Sequence, residues 1–309
     1  MFILIIVFLV LLLAFFIAGY LFFRQFMMRE KHPAGDHEIP GEEFLHGYGE
    51  RYKKGLEWIL AQKTQHVTIK SADGLILCAE YLPCRNAVRT VLLAHGYHGT
   101  YFKDFSEIAE FYHRQGSNLL MITERAHRGS EGKYITFGVR ESGDLMLWCR
   151  FLNEKYGDSL PLYLHGASMG SATVLMAEGE ALPENTAGII ADCGYTSPWD
   201  ICGYFAGHYL HVPKFPLLSI VDLYARLLAH FSMKEKSAPE ILKKAKIPVL
   251  FVHGTNDDFV PPHNTVANYE ACAAPKRLCM VDGATHVTSW FFDTEKYQQS
   301  LLSFLNETS

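Results

Sequence analysis

The chain has no excess of positive charge: 28 Lys and Arg stand against 33 Asp and Glu, a net charge of −5 over 309 residues. A nucleic-acid partner needs a basic face to neutralise its phosphates, and no basic stretch offers one, so that class is set aside. Cysteine is sparse. The seven (Cys78, Cys84, Cys149, Cys193, Cys202, Cys272 and Cys279) are scattered, odd in number and never spaced C-x-x-C. That pattern fits small packed thiols rather than a disulfide framework, although a bridge between two of them would point to an oxidising compartment. Internal repeats and low-complexity tracts are missing. No third ligand accompanies His95 and His98 at metal-like spacing, so neither a metal nor a cofactor is expected.

What is there in quantity is apolar: 49% hydrophobic against 20% charged residues, enough for a sizeable core. One stretch stands apart. Residues 2–23 carry no charge and are mostly Ile, Leu, Val and Phe, long enough at helical rise to cross a bilayer. No basic segment precedes the run and it exceeds a usual signal-peptide core, so a transmembrane helix is preferred over a cleaved signal. Tyr20 and the aromatics at 22, 23 and 26 suit an interfacial belt. Arg24, Arg29 and Lys31 follow it, and the positive-inside rule then puts the body in the cytoplasm. Residues 24–49, with Pro33 and Pro40, read as a polar linker.

From residue 50 the pattern is that of an α/β domain. An amphipathic helix over 50–63 precedes a β-hairpin at 66–70 and 75–82, turning at Ala72-Asp73-Gly74. Short apolar strands then follow at 90–94, 118–122, 161–164, 188–192, 248–252 and 277–281. Helices alternate with them at 102–115, 139–156, 168–179, 264–272 and 290–305, which implies a mostly parallel eight-stranded sheet covered on both faces. One interval, 194–247, is too long for a crossover loop. Its two helical stretches, opening at Ser197-Pro198 and spanning 217–231, are rich in aromatics and read as a lid above the C-terminal edge of the sheet.

Within 160–177 an apolar run breaks into Gly166-Ala167-Ser168-Met169-Gly170 and resumes as a helical pattern. Strand, sharp turn and helix put Ser168 at a bend beside free backbone N–H groups, with glycines where strand and helix cross. A serine hydroxyl needs a base, and the base a carboxylate. The strand ending at His253-Gly254 delivers Asp257, with Asp258 as the alternative, and the next strand delivers His286 past Asp282-Gly283. Glu141 and Asp144 share one helical face and read as structural or solvated charges. His165, His208, His211, His230 and His263 read as packing or surface residues, and Met169 and Met176 as helix packing.

Ser168, Asp257 and His286, each just past a strand and in this order, resemble the α/β-hydrolase superfamily over about residues 63–305. G-x-S-x-G at 166–170, H-G-x-x-D at 253–257, G-x-x-H at 283–286 and His95-Gly96 carry the likeness. It is similar to small-lidded esterases, acylglycerol lipases and the serine aminopeptidase-like group, and to their membrane-anchored bacterial members. The resemblance implies an oxyanion hole from the backbone N–H groups of Tyr97 and Met169. It also implies a bracing loop at 122–132 in which Arg125 and His127 hold neighbouring loops. Here Thr123 and Arg128 depart from the pattern, and an Arg resists the positive φ a Gly would take. The expected activity is ester hydrolysis by acyl transfer, on small or lipid-like esters met at a bilayer surface. Peptidase or thioesterase action, or a non-catalytic binding role, are the alternatives. Removing residues 1–31 is expected to spare action on soluble esters.

Overall fold

The structure, a computed structural model, describes residues 2–30 and 47–308. Strands Gln65–Lys70 (β1), Ile76–Leu82 (β2), Arg89–Ala94 (β3), Ser117–Ile122 (β4), Leu162–Ala167 (β5), Thr186–Asp192 (β6), Val249–Gly254 (β7) and Lys276–Val281 (β8) form one sheet. Its order is β1-β2-β4-β3-β5-β6-β7-β8. The β1–β2 hairpin and the β2–β4 pair are antiparallel, and every later pair is parallel.

Both faces of strands β3 to β7 are buried, with the edge strand β8 partly exposed, and the period of two divides their side chains between two layers. Leu92, Leu120 and Leu164 point to one face, where they meet Trp148 of Glu141–Tyr156 (α4) and Val174 of Met169–Ala177 (α5). Val91, Leu119 and Tyr163 point to the other, against Phe105 and Tyr112 of Tyr101–Arg114 (α3) and Leu301 of Thr294–Glu307 (α11). The amphipathic helix before the sheet is Gly49–Leu60 (α2). A further helix, His263–Ala271 (α9), fills the β7–β8 crossover. The single helix expected over 290–305 is instead two, Ser289–Phe292 (α10) and α11. The break falls at Asp293, whose carboxylate caps the second by accepting the Lys296 N–H. All seven cysteines are free, five of them buried.

The interval between β6 and β7 holds three helices, Pro198–His208 (α6), Lys214–Leu228 (α7) and Ala238–Leu242 (α8). Ser197 caps α6 by accepting the Asp200 N–H, and Pro198 occupies its first turn. These helices reach the loop after β7: Tyr204 and Tyr209 donate their hydroxyls to the Asp258 carbonyl at 2.6 and 3.1 Å.

Phe2–Met27 (α1) is long and apolar enough to cross a membrane by length and composition. It does not end where the apolar run ends. Phe22, Phe23 and Met27 are buried against α6 and α7, and a Cβ on Gly19 would come within 2.5 Å of Ile220. Beyond the helix, Met27 accepts the Ile135 N–H and Arg29 donates its N–H to Lys133, both at 2.8 Å. Residues 26–29 are therefore packed rather than linking, while Arg24, Gln25 and Glu30 stay exposed. Phe23 and Met27, one helical turn apart on one face, outweigh the flanking charges that suggest a linker. The remainder of that expected linker, 31–46, lies outside the described residues.

Candidate active site

The turn after β5 is dictated by its glycines. A Cβ on Gly166 would lie 2.1 Å from the Gly170 carbonyl oxygen, and one on Gly170 would lie 2.0 Å from that of Ala94. Strand and helix can cross this closely only without those side chains. Ser168, between them, takes φ 54° and ψ −114°, a sparsely populated conformation that costs about 1–3 kcal/mol and persists only where the surroundings enforce it. Its N–H donates to the Asp192 carbonyl at the end of β6, 2.9 Å away, pinning the bend to the sheet.

Asp257 and His286 arrive from the next two strand ends. His286 Nε2 stands 2.8 Å from Ser168 Oγ, and its Nδ1 stands 2.7 Å from Asp257 Oδ2. An acceptor at Nδ1 fixes the proton there and leaves Nε2 free to accept the serine hydroxyl. Asp257 is buried, and its Oδ1 accepts the N–H groups of Phe259 and Val260 at 3.0 and 2.8 Å. Burial alone would raise its pKa. The charge of His286 and hydrogen bonds from His253 and His286 outweigh that and hold the carboxyl well below its usual range. Asp258 is exposed, and its carbonyl accepts the hydroxyls of the lid residues Tyr204 and Tyr209.

Sequence reasoning gave His253 no role. It is fully buried, with Nδ1 2.6 Å from Thr265 Oγ1 and Nε2 3.1 Å from Asp257 Oδ2 and 2.8 Å from the Val260 carbonyl. Two acceptors at Nε2 make it the donor, so His253 holds the carboxylate oxygen that faces His286. The signal was the histidine opening H-G-x-x-D. Asp192 was missed as well. Burial pushes its pKa up to about 6 against the opposing hydrogen bond from the Tyr297 hydroxyl at 2.9 Å.

The loop after β3 runs beside the serine: a Cβ on Gly96 would lie 3.1 Å from Ser168 Cβ. The N–H groups flanking Tyr97 are tied down, Gly96 to Asp104 Oδ2 at 2.6 Å and His98 to His127 Nε2 at 3.2 Å. Met169 begins α5, whose first N–H groups have no helical acceptor. The Arg125 guanidinium joins Asp144 at 2.6 and 2.8 Å and Asp73 at 2.9 and 3.0 Å. Arg125 and His127 thus brace this loop as the resemblance implies, and Asp144 is one of the brace's anchors. Glu141 is buried and accepts the N–H groups of Thr136 and Gly138. The loop nevertheless turns at positive φ without glycine, at Ala126 (60°) and Arg128 (26°). His165, expected at the surface or in packing, is buried between the hydroxyls of Tyr112 and Tyr297.

Cys193 Sγ, an Asp257 oxygen and a His286 nitrogen lie within 4.8 Å of one another. Burial drives that thiol's pKa well up, and the Asp257 and His286 atoms beside it are already engaged with each other and with Ser168. His95 points elsewhere: its Nδ1 is 2.8 Å from the Gly96 carbonyl and its Nε2 accepts the Glu124 N–H at 3.1 Å.

A mostly parallel eight-stranded sheet with a serine bend after β5 and facing loops after β7 and β8 is the framework of the α/β-hydrolase superfamily of hydrolases. Within it, the chain belongs to the prolyl oligopeptidase family, whose sequence profile matches residues 131–309. It is 27% identical to uncharacterized protein YqkD of Bacillus subtilis across 79% of this chain and 80% of that one. Among solved structures it is similar in fold to the Pyrococcus furiosus esterase Pf2001, with a TM-score of 0.66 and 22% identity over 81% of this chain and 95% of that one. Est1E of Butyrivibrio proteoclasticus, solved with ferulic acid bound, has a TM-score of 0.61 and 20% identity over 78% of this chain and 98% of that one.

Proposed function

We propose that the protein is a serine hydrolase that cleaves carboxylic esters by acyl transfer. The observation that carries this reading is the run of contacts from Ser168 Oγ through His286 to Asp257, at 2.8 and 2.7 Å. His286 takes the hydroxyl proton as Ser168 Oγ attacks the carbonyl carbon, while Asp257 holds the ring and offsets its charge. The N–H groups of Tyr97 and Met169 receive the oxyanion, an effect of about 3–4 kcal/mol per donor in other enzymes. His286 then gives its proton to the departing alkoxide, and a water deprotonated by the same ring releases the acid. No cofactor takes part.

Esters are favoured because the lid is apolar and aromatic: its Phe205 packs at a tilt on Phe259 of the loop after β7, whose ring in turn lies 4.8 Å from that of His286. The family's name keeps aminoacyl amides in the test panel, beside thioesters. We further infer that α1 anchors the chain in a membrane with the body on the cytoplasmic side; burial of Phe22, Phe23 and Met27 supports a retained helix. The test is turnover of p-nitrophenyl butyrate by the full chain in mild detergent. Ser168→Ala should lower kcat at least 10³-fold with an unchanged melting temperature, and turnover that survives the substitution refutes the reading.

A further inference from the structure

A cavity of about 800 Å³ lies between α1 and the lid, within the size range of small-molecule sites. One wall is α1 itself, through Phe15, Ala18 and Phe22. The facing wall is the lid, through Leu210, Val212 and Leu217. His98 also lines the cavity, and it is the residue after Tyr97 in the loop that passes beside Ser168. Its remaining polar lining, Arg24, Gln25, Arg29 and Glu30, gathers at the end of the apolar run, where a bilayer would give way to water.

We propose that this cavity holds the acyl chain of a long-chain carboxylic ester drawn sideways from the bilayer, with α1 as the wall it slides along. The inference rests on the ester-hydrolase reading of Ser168. Residues of α1 before the cavity, such as Phe8 and Leu9, are exposed on the protein and have only hydrocarbon to face if the helix spans a membrane. The same helix face then continues inward as the cavity wall, so a lipid chain moves from one apolar surroundings to another without crossing water. A water-soluble short ester gains nothing from such a wall. Gly19 lets α1 approach Ile220 of α7 closely, and the Tyr224 hydroxyl donates to the Phe16 carbonyl at 3.3 Å. The two walls are therefore joined to each other and not merely adjacent.

The experiment uses the full chain in phospholipid nanodiscs, with p-nitrophenyl palmitate and p-nitrophenyl butyrate as probes. The quantity read is the ratio of their kcat/KM values. Filling the cavity from both walls with the double substitution Leu21→Trp and Leu210→Trp, both half-exposed positions on its lining, should lower that ratio at least tenfold. Leu227→Trp, on α7 but outside the lining, should leave it unchanged. A ratio that holds in the double variant, or falls equally in Leu227→Trp, overturns the inference alone, provided Ser168→Ala abolishes butyrate turnover. If wild type hydrolyses neither ester, or Ser168→Ala hydrolyses both, the reading of the site fails and this inference falls with it.

Discussion

Asp257 and Asp258 are neighbours in sequence and opposites in surroundings. The first is buried, accepts two backbone N–H groups and faces two imidazoles; the second lies in solvent with its carbonyl under the lid. Asp257→Asn should therefore lower kcat roughly 10³- to 10⁴-fold by spoiling the tautomer of His286, whereas Asp258→Asn should change it less than about threefold, both measured on p-nitrophenyl butyrate. Equal effects would return the acid's identity to the choice that sequence alone left open. Asp192 supplies a test of stability. Its pKa is raised on folding to about 6, so the folded state binds its proton more readily than the unfolded one. The stabilising contribution is complete below the unfolded value of about 3.9 and is lost as pH rises through 6. The shift corresponds to about 3 kcal/mol. Asp192→Asn keeps an acceptor for Tyr297 and should gain in melting temperature over wild type on going from pH 5 to pH 8, read by thermal denaturation. A gain that shrinks instead would contradict the burial argument. Neither Asp192 nor His253 could be assigned from sequence, because their roles depend on partners 105 and 12 residues away, Tyr297 and Thr265.

At the scale of elements, the strands were legible because each is a short apolar run between turn residues, and Ser168 was legible because Gly166 and Gly170 announce the crossing of strand and helix. Reading failed where tertiary contact decides. Asp293 splits one expected helix into two, a local cap that a continuous apolar pattern conceals. The larger departure is α1, which by composition ends in a linker and in the structure continues into the lid. That changes what truncation should do. Phe23 is fully buried among Tyr134, Tyr224 and their neighbours, so Phe23→Ala should cost about 3–5 kcal/mol of stability, measured by denaturant unfolding in detergent. Removing residues 1–31 should then destabilise the lid rather than leave soluble-ester turnover untouched. Unaltered stability in Phe23→Ala would mean that α1 does not pack on the lid.

Across the whole molecule, the sheet acts as a frame that brings three distant positions to one rim. Ser168 comes off β5, Asp257 off β7 and His286 off β8, and β5, β6, β7 and β8 are consecutive in the sheet. Two layers of core fix that order, and the loop of Gly96 and Tyr97, braced through His127 and Arg125, closes the fourth side. Much of this could be read from motif order, since chain order and strand order coincide over this half of the sheet. The brace could not, because Asp73 and Asp144 reach Arg125 from opposite directions along the chain. The account turns on Ser168 being an activated nucleophile. The direct measurement is labelling of the full chain with a fluorophosphonate probe, followed by mass spectrometry of the modified peptide. The account predicts a single adduct on Ser168 whose rate of formation collapses in His286→Ala. An adduct at another residue, or labelling of Ser168 that is indifferent to His286, would contradict it.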